Sequence, residues 1–510
     1  MRTPTAILTA VLLATLPLAA CGNDEAASSA TSLAPAGALM YGEVSLEPEG
    51  EQKEAIDAIV SKFPGEGPAG ERLKGLIEQG LKASDAPISF KDDIEPWLGD
   101  EAAFFLTGGG KSGEINNGAL LIATDDEDAA RDAVEKSFEK KPEERSYKDV
   151  EYMTDGEDAV GVFDGFVVAG SERGLKAAID TSDGGSPLED DDAYTKAVSS
   201  AAEDRLGLFY VNSPALYDFA QRGAAGTGLP LGGAIKDALE EPYVATVEAE
   251  QDGLTVEAEI PEAFSKALPF FAPGSDLVNE LPADSWLALA QPSFGKAIDY
   301  YVESAAGALG GRDVLERQFE SATGLRLKQD VLDWMGDFAV FVRGTTVPEV
   351  SGALIVETSD PAATERVIAR LRALAGSAND PSMSVGPLAV PGGEGFTVRD
   401  SDVPQPVHVF LADDRFVVAY GDEAGKDAIS PSETLGSSPE FAEATQSLDG
   451  YDVSFYLAVD QVLQLVEDAG ARSEPDYQEA KPYLDPLGAL IGGTKGSGDD
   501  LQSAFKITVK

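Results

Sequence analysis

Asp93-Ile94-Glu95-Pro96-Trp97-Leu98-Gly99-Asp100 is answered in the second half of the chain by Asp330-Val331-Leu332-Asp333-Trp334-Met335-Gly336-Asp337. The first copy is preceded by Ile88-Ser89-Phe90-Lys91 and the second by Leu325-Arg326-Leu327-Lys328. Working outward, Gly118-Ala119-Leu120-Leu121-Ile122 matches Gly352-Ala353-Leu354-Ile355-Val356, and each leads into an acidic turn and a helical stretch. Phe166-Val167-Val168-Ala169 matches Phe416-Val417-Val418-Ala419, and Phe209-Tyr210-Val211 matches Phe455-Tyr456-Leu457. Self-similarity in constant order is the sequence mark of an internal repeat. Two units of similar build are therefore expected, residues 36–262 and 282–510. An apolar connector, 263–281, lies between them and contains Pro269-Phe270-Phe271-Ala272-Pro273.

Periodicity gives the expected build of a unit. Ala38 to Leu46 alternates as a strand, and Gln52 to Phe63 places Ala55, Ile56, Ile59 and Val60 at helical spacing. Ala102 to Leu106 and Ala119 to Ala123 are compact apolar runs separated by Gly-rich turn material, the pattern of a hairpin. Asp164-Gly165 is a hairpin-turn signal between two short strands. Leu254, Val256, Ala258 and Ile260 alternate with polar residues, as in a half-buried antiparallel strand. The expected fold class is α+β: two duplicated units, each an antiparallel sheet with helices packed on one face.

The N-terminus reads as an export signal. Arg2 supplies the positive charge, and Ala6 to Leu18 is an apolar stretch too short to span a membrane, which takes about 20 residues. The stretch ends Leu18-Ala19-Ala20-Cys21, which resembles the lipobox of bacterial lipoproteins. That resemblance implies cleavage before Cys21 and lipidation of its thiol. Residues 1–21 are then the signal, and 22–35, rich in Ser and Ala, a flexible tether with a reach of about 20 Å. Two acyl chains hold a protein to a bilayer where one does so only marginally. The expected location is the extracytoplasmic side of the cell membrane.

The chain has 510 residues, with 38 Lys and Arg against 90 Asp and Glu, a formal charge of −52. Nucleic-acid binding depends on cations that neutralise phosphates, so no nucleic-acid partner is expected. The membrane, reached through the N-terminal lipid, is the partner that the residues indicate; any other envelope partner or lipid is unspecified. One Cys and one His leave no disulfide and no His- or Cys-built zinc site. No cofactor is expected. The acidic runs Asp125-Asp126-Glu127-Asp128 and Glu189-Asp190-Asp191-Asp192 stand where helices should begin, and negative charge is favourable there.

The Pro-Trp-Leu-Gly-Asp signature within Asp93 to Asp100, with Leu39-Met40-Tyr41-Gly42-Glu43-Val44 and Phe63-Pro64-Gly65, resembles a bacterial domain-of-unknown-function family. Its members are secreted or membrane-tethered. The resemblance implies an extracytoplasmic location and no activity.

Candidate chemistry is sparse. Trp97 beside Asp100 and Trp334 beside Asp337 are candidate binding residues, since an exposed indole next to a carboxylate can stack on a sugar. The structural reading puts each Trp beneath a helical turn that ends at Gly99 or Gly336, where a left-handed conformation is needed. Gly108-Gly109-Gly110-Lys111-Ser112 lacks the first Gly of a phosphate loop and reads as a hairpin loop. Ser293-Phe294-Gly295-Lys296 has the Ser-x-x-Lys pattern without the companion motifs of that chemistry. His408 reads as a structural strand residue. No catalytic or metal-binding residue is singled out. The expectation is a lipid-anchored envelope protein that binds or scaffolds without catalysis. Its two rivals are a lipid or glycolipid carrier and a polysaccharide hydrolase built on paired carboxylates.

Overall fold

A computed structural model describes residues 29–65, 74–75, 78, 87–108, 117–138, 141–156, 158–202, 204–224, 236, 239–261, 274–306, 311–377, 380–390, 393–496 and 501–510. The chain separates into two compact units. One is Met1–Gly228 with Leu239–Ala258, the other Leu229–Ala238 with Glu259–Lys510.

The first ten strands are β1 (Met40–Ser45), β2 (Leu98–Thr107), β3 (Asn117–Thr124), β4 (Glu143–Tyr147), β5 (Val150–Thr154), β6 (Asp158–Phe163), β7 (Phe166–Ser171), β8 (Gly207–Val211), β9 (Tyr243–Glu250) and β10 (Gly253–Glu259). Their spatial order is β4-β5-β6-β7-β3-β2-β1-β8-β9-β10, antiparallel throughout. The remaining strands are β11 (Ser285–Gln291), β12 (Met335–Arg343), β13 (Ser351–Thr358), β14 (Met383–Val390), β15 (Gly393–Asp400), β16 (Val407–Ala412), β17 (Arg415–Tyr420), β18 (Asp452–Ala458), β19 (Leu487–Lys495) and β20 (Gln502–Val509). They run β14-β15-β16-β17-β13-β12-β11-β18-β19-β20, again antiparallel.

All twenty strands belong to one antiparallel sheet. This overturns the expected fold class of two duplicated units, each with its own sheet and helices on one face. The covering of the faces is corrected as well. On β3, Ala119, Leu121 and Ala123 join one apolar cluster with Leu175, Ala178 and Ile179 of the helix Glu172–Ser182. Leu120 and Ile122, on the opposite face, join another with Ala130, Ala133 and Val134 of the helix Glu127–Ser137. On β13, Ala353 and Ile355 pack with Ala424, Phe441 and Ala444, while Val356 packs on the other face with Ala363, Val367 and Ile368. Successive strand side chains point to opposite faces, so a continuous apolar run marks a strand buried on both. Gly118 to Ala123 is such a run.

Local signals behave as the chemistry dictates. Asp164 and Gly165 have φ of 50° and 77°, the positive values of the tight β6–β7 hairpin turn. Asp126 accepts the N–H groups of Asp128 and Ala129, and Asp191 those of Ala193 and Tyr194, so both acidic runs cap helices. Among the described residues, two strands pair on one side only. β4 carries Glu143, Glu144 and Arg145, and β14 contains Pro387. Charge and proline both discourage the pairing of an open edge with a further strand.

The expected tether needs correction. Residues 22–28 lie outside the described residues, but 29–35 are packed. Ala30, Leu33 and Ala34 are buried in the first unit, and Pro35 forms a β-bridge with Pro187. Of the connector, 263–273 lies outside the described residues, while Leu277, Val278 and Leu281 are buried in the second unit.

Candidate functional site

The two tryptophan segments are turns of the same construction. A π-type turn, Phe90–Ile94 or Leu327–Leu332, precedes the indole. Trp97 and Trp334 are each 2% exposed. Trp97 Nε1 donates to the Asp93 carbonyl at 2.5 Å, and Trp334 Nε1 to the Asp330 carbonyl at 3.0 Å. Neither ring face is open to a sugar, so the stacking role is corrected to a packing one. Burial works against ionisation of Asp93, but the Ser89 N–H and the Lys136 ammonium outweigh it and hold the carboxyl below its usual range. Asp330 is lowered by the Arg326 guanidinium and backbone N–H.

Gly99 and Gly336 are also corrected. Neither has a positive φ. Both lie in strands, at bulges where the register shifts between Leu98 and Ala102 and between Met335 and Phe338. Close approach is what calls for glycine here. A Cβ on Gly99 would stand 2.9 Å from the Ala123 carbonyl carbon, and one on Gly336 3.2 Å from the Glu357 carbonyl oxygen.

The aspartates after the glycines diverge. Asp337 accepts the Ser275 hydroxyl at 2.9 Å and the Ser293 N–H at 3.1 Å. It braces two chain segments. Ser293 has a φ of 56° and is used for that turn, and a Cβ on Gly295 would collide with the Leu332 carbonyl. The Ser-x-x-Lys pattern is thus a turn element. Asp100 is exposed, and its carboxylate accepts no hydrogen bond among the described residues.

Beside Asp100 the chain builds a cluster that residue spacing did not disclose. Tyr41 and Glu43 alternate onto one face of β1, and Ser45 pairs with Glu101 of β2. The Tyr41 hydroxyl donates to Glu43 Oε2 at 2.9 Å, and Arg205 Nη2 donates to Glu43 Oε1 at 2.8 Å. Tyr194 packs edge-on against Tyr41, at 5.9 Å between centroids, and against Tyr210, at 5.1 Å. Glu101 Oε2 accepts the Ala30 N–H at 3.1 Å, and the Thr31 hydroxyl donates to Glu189 at 3.0 Å. Burial pushes the Glu101 carboxyl up to about 7 against the pull of the Ala30 N–H, and Glu43 and Asp100 add to the rise. Burial likewise raises the Tyr41 and Tyr194 phenols, and takes Tyr210 up to about 12. Tyr-x-Glu on a strand hinted at this cluster. Only strand register and the return of residues 29–35 assemble it.

His408 is buried on β16, with Nδ1 hydrogen-bonded to Thr397 at 2.9 Å and Nε2 to Asp422 at 2.9 Å. A groove of about 440 Å³ in the first unit is lined by Arg131, Val134, Glu144, Ser146, Glu151 and Met153. Another of about 480 Å³ in the second unit is lined by Asp284, Arg343, Gln405, Asp422 and Glu423. Charged and polar side chains wall the second, while the first also has Tyr152, Val160 and Val162 in its wall. Among the described residues no group of three or more His, Cys, Asp and Glu is placed to hold a metal ion. No helix among them is long and apolar enough to cross a membrane.

A family model described as "Protein of unknown function (DUF3352)" matches residues 5–507. The chain belongs to this family. DUF3352 carries no stated activity, and no curated protein matches this member of it. Among solved structures, "Structure of crystal form I of TP0453" is 10% identical, with 46% of this chain and 80% of that chain covered and a TM-score of 0.24. "Structure of crystal form IV of TP0453" is 12% identical, with 48% and 86% covered and a TM-score of 0.24.

Proposed function

We propose that this DUF3352 protein is a lipid-anchored protein of the cell envelope that binds or scaffolds outside the cytoplasm without catalysis. The observation that carries this reading is Leu18-Ala19-Ala20-Cys21, placed directly after a short apolar stretch and holding the only cysteine of the chain. A diacylated cysteine anchors stably and needs no spanning helix. The acidic composition suits an exported body that stays soluble and is repelled by anionic headgroups. The indoles of Trp97 and Trp334 are spent on packing, Glu101 accepts the Ala30 N–H, and Glu43 is paired with Arg205 and the Tyr41 hydroxyl.

Expression of Cys21→Ala in a bacterial host, followed by membrane fractionation and labelling with a radioactive fatty acid, tests the anchor. The wild type is expected in the membrane and labelled. The variant is expected unlabelled, in the medium or as uncleaved precursor. A variant that fractionates and labels like the wild type overturns the reading.

A further inference from the structure

We propose that the groove on the β4–β5–β6 face of the first unit is a binding site for a small amphipathic cation, an aliphatic body that carries an ammonium group. Its volume is about 440 Å³, which lies within the range of small-molecule sites. The floor is apolar: Val160 and Val162 of β6, Val134 of the helix Glu127–Ser137, and Met153 of β5. The rim is polar. Strand register sets Glu144 opposite Met153 and Ser146 opposite Glu151, so all four share one face, and Met153 in turn lies opposite Val160. An apolar floor under a few placed polar groups is the usual make-up of a ligand site. Methionine adds a flexible wall that adapts to what it meets.

The second unit shows why the space is open. There the helix after β13, Pro361–Ser377, has 17 residues, and Leu371 and Ala375 of its later turns join one apolar cluster with Val385 of β14 and Val398 of β15. In the first unit the helix after β3, Glu127–Ser137, has 11 residues and is shorter by about 9 Å. Its apolar cluster reaches Met153 of β5 and, among the described residues, takes in none of β4. Chain of its own covers the outer strands in one unit and stops short of them in the other.

The rim selects the sign of the ligand. Two guanidinium groups border the groove, and acids already match both. Arg131 donates to Asp128 at 3.1 Å and to the Val162 carbonyl at 3.4 Å, with Glu127 at 3.9 Å. Arg145 is paired with Glu143 at 2.8 Å and with Glu172 at 3.0 Å. Glu144 and Glu151 are exposed, and neither takes an ion pair or hydrogen bond among the described residues. The unmatched charge is therefore negative. The two carboxylates occupy diagonal positions on paired strands, about 7–8 Å apart at the backbone, so one ammonium fits between them while its aliphatic body lies on the floor. The site deepens the binding role proposed above and rests on that role, not on the lipid at Cys21. Fractionation reads the anchor and titration reads the site, so the two fail separately.

The chain has five methionines, so NMR of isotope-labelled methionine methyls in the full-length protein tests the site, with Met40, Met335 and Met383 as internal references. Titration with hexylammonium at neutral pH is expected to shift the Met153 methyl saturably while the references stay in place. Hexanol has the same body without the charge, and hexanoate has the opposite sign. Both are expected to bind at least about threefold more weakly. Glu144→Gln combined with Glu151→Gln is expected to weaken hexylammonium by a similar factor. Ser146→Trp fills the groove and leaves every charge in place, and is expected to abolish the shift. A Met153 methyl that hexylammonium does not move overturns the proposal. So does hexanol or hexanoate that binds as tightly as hexylammonium, or either variant that binds hexylammonium like the wild type.

Discussion

The turn around Trp97 and the turn around Trp334 use one local plan and spend their last residue differently. In both, a π-type turn places the indole under its own backbone, and a glycine bulge follows. In the second, Asp337 turns inward and ties Ser275 to Ser293. In the first, Asp100 is exposed, and its neighbour Glu101 accepts the Ala30 N–H instead. A motif of eight residues therefore specifies its own packing. What its carboxylate does is set by whichever segment the fold brings alongside.

The comparison breaks most easily at the indoles. Trp97→Ala and Trp334→Ala are each expected to cost about 3–5 kcal/mol, because each empties a fully enclosed site. Urea unfolding checks this, and a loss confined to one of the two would show that the turns are not energetically alike. The glycines sharpen it. Gly99→Ala drives a methyl to 2.9 Å from backbone that cannot yield, so about 1–3 kcal/mol is expected. Gly336→Ala meets its neighbour at 3.2 Å and should cost less in the same titration. The aspartates give the smallest effect and the clearest contrast. Asp337→Ala strands the Ser275 hydroxyl and the Ser293 N–H and is expected to cost about 1–3 kcal/mol. Asp100→Ala is expected to stay within about 0.5 kcal/mol in thermal melts. Equal effects at the two positions would remove the distinction drawn here.

Several elements could be read from residues alone. The β6–β7 hairpin came from Asp164-Gly165, because a two-residue turn with positive φ demands such residues. The helix starts near Asp126 and Asp191 came from the two acidic runs, because negative charge is favourable at a helix N-terminus; that these two aspartates cap the helices is seen in the structure. β4 was missed, since Glu143-Glu144-Arg145-Ser146-Tyr147 has no apolar alternation. It is an edge strand whose charges serve to keep other strands away. The covering of both sheet faces was misjudged at Gly118 to Ala123, where a run without polar interruptions was the available sign. In the cluster around Tyr41, Glu101 carried no sign, as one acid among 90.

What the sequence determined by itself is therefore local: the helix starts, the hairpin turns and the paired tryptophan turns. Each depends on side chains within a few residues of one another, where the covalent chain already supplies the proximity. The tertiary structure alone decided that the twenty strands share one sheet, that helices cover both faces, and that residues 29–35 return to seal Glu101. Those outcomes depend on burial and electrostatics between segments tens to hundreds of residues apart, and dehydration of a carboxylate exists only once the chain has closed around it.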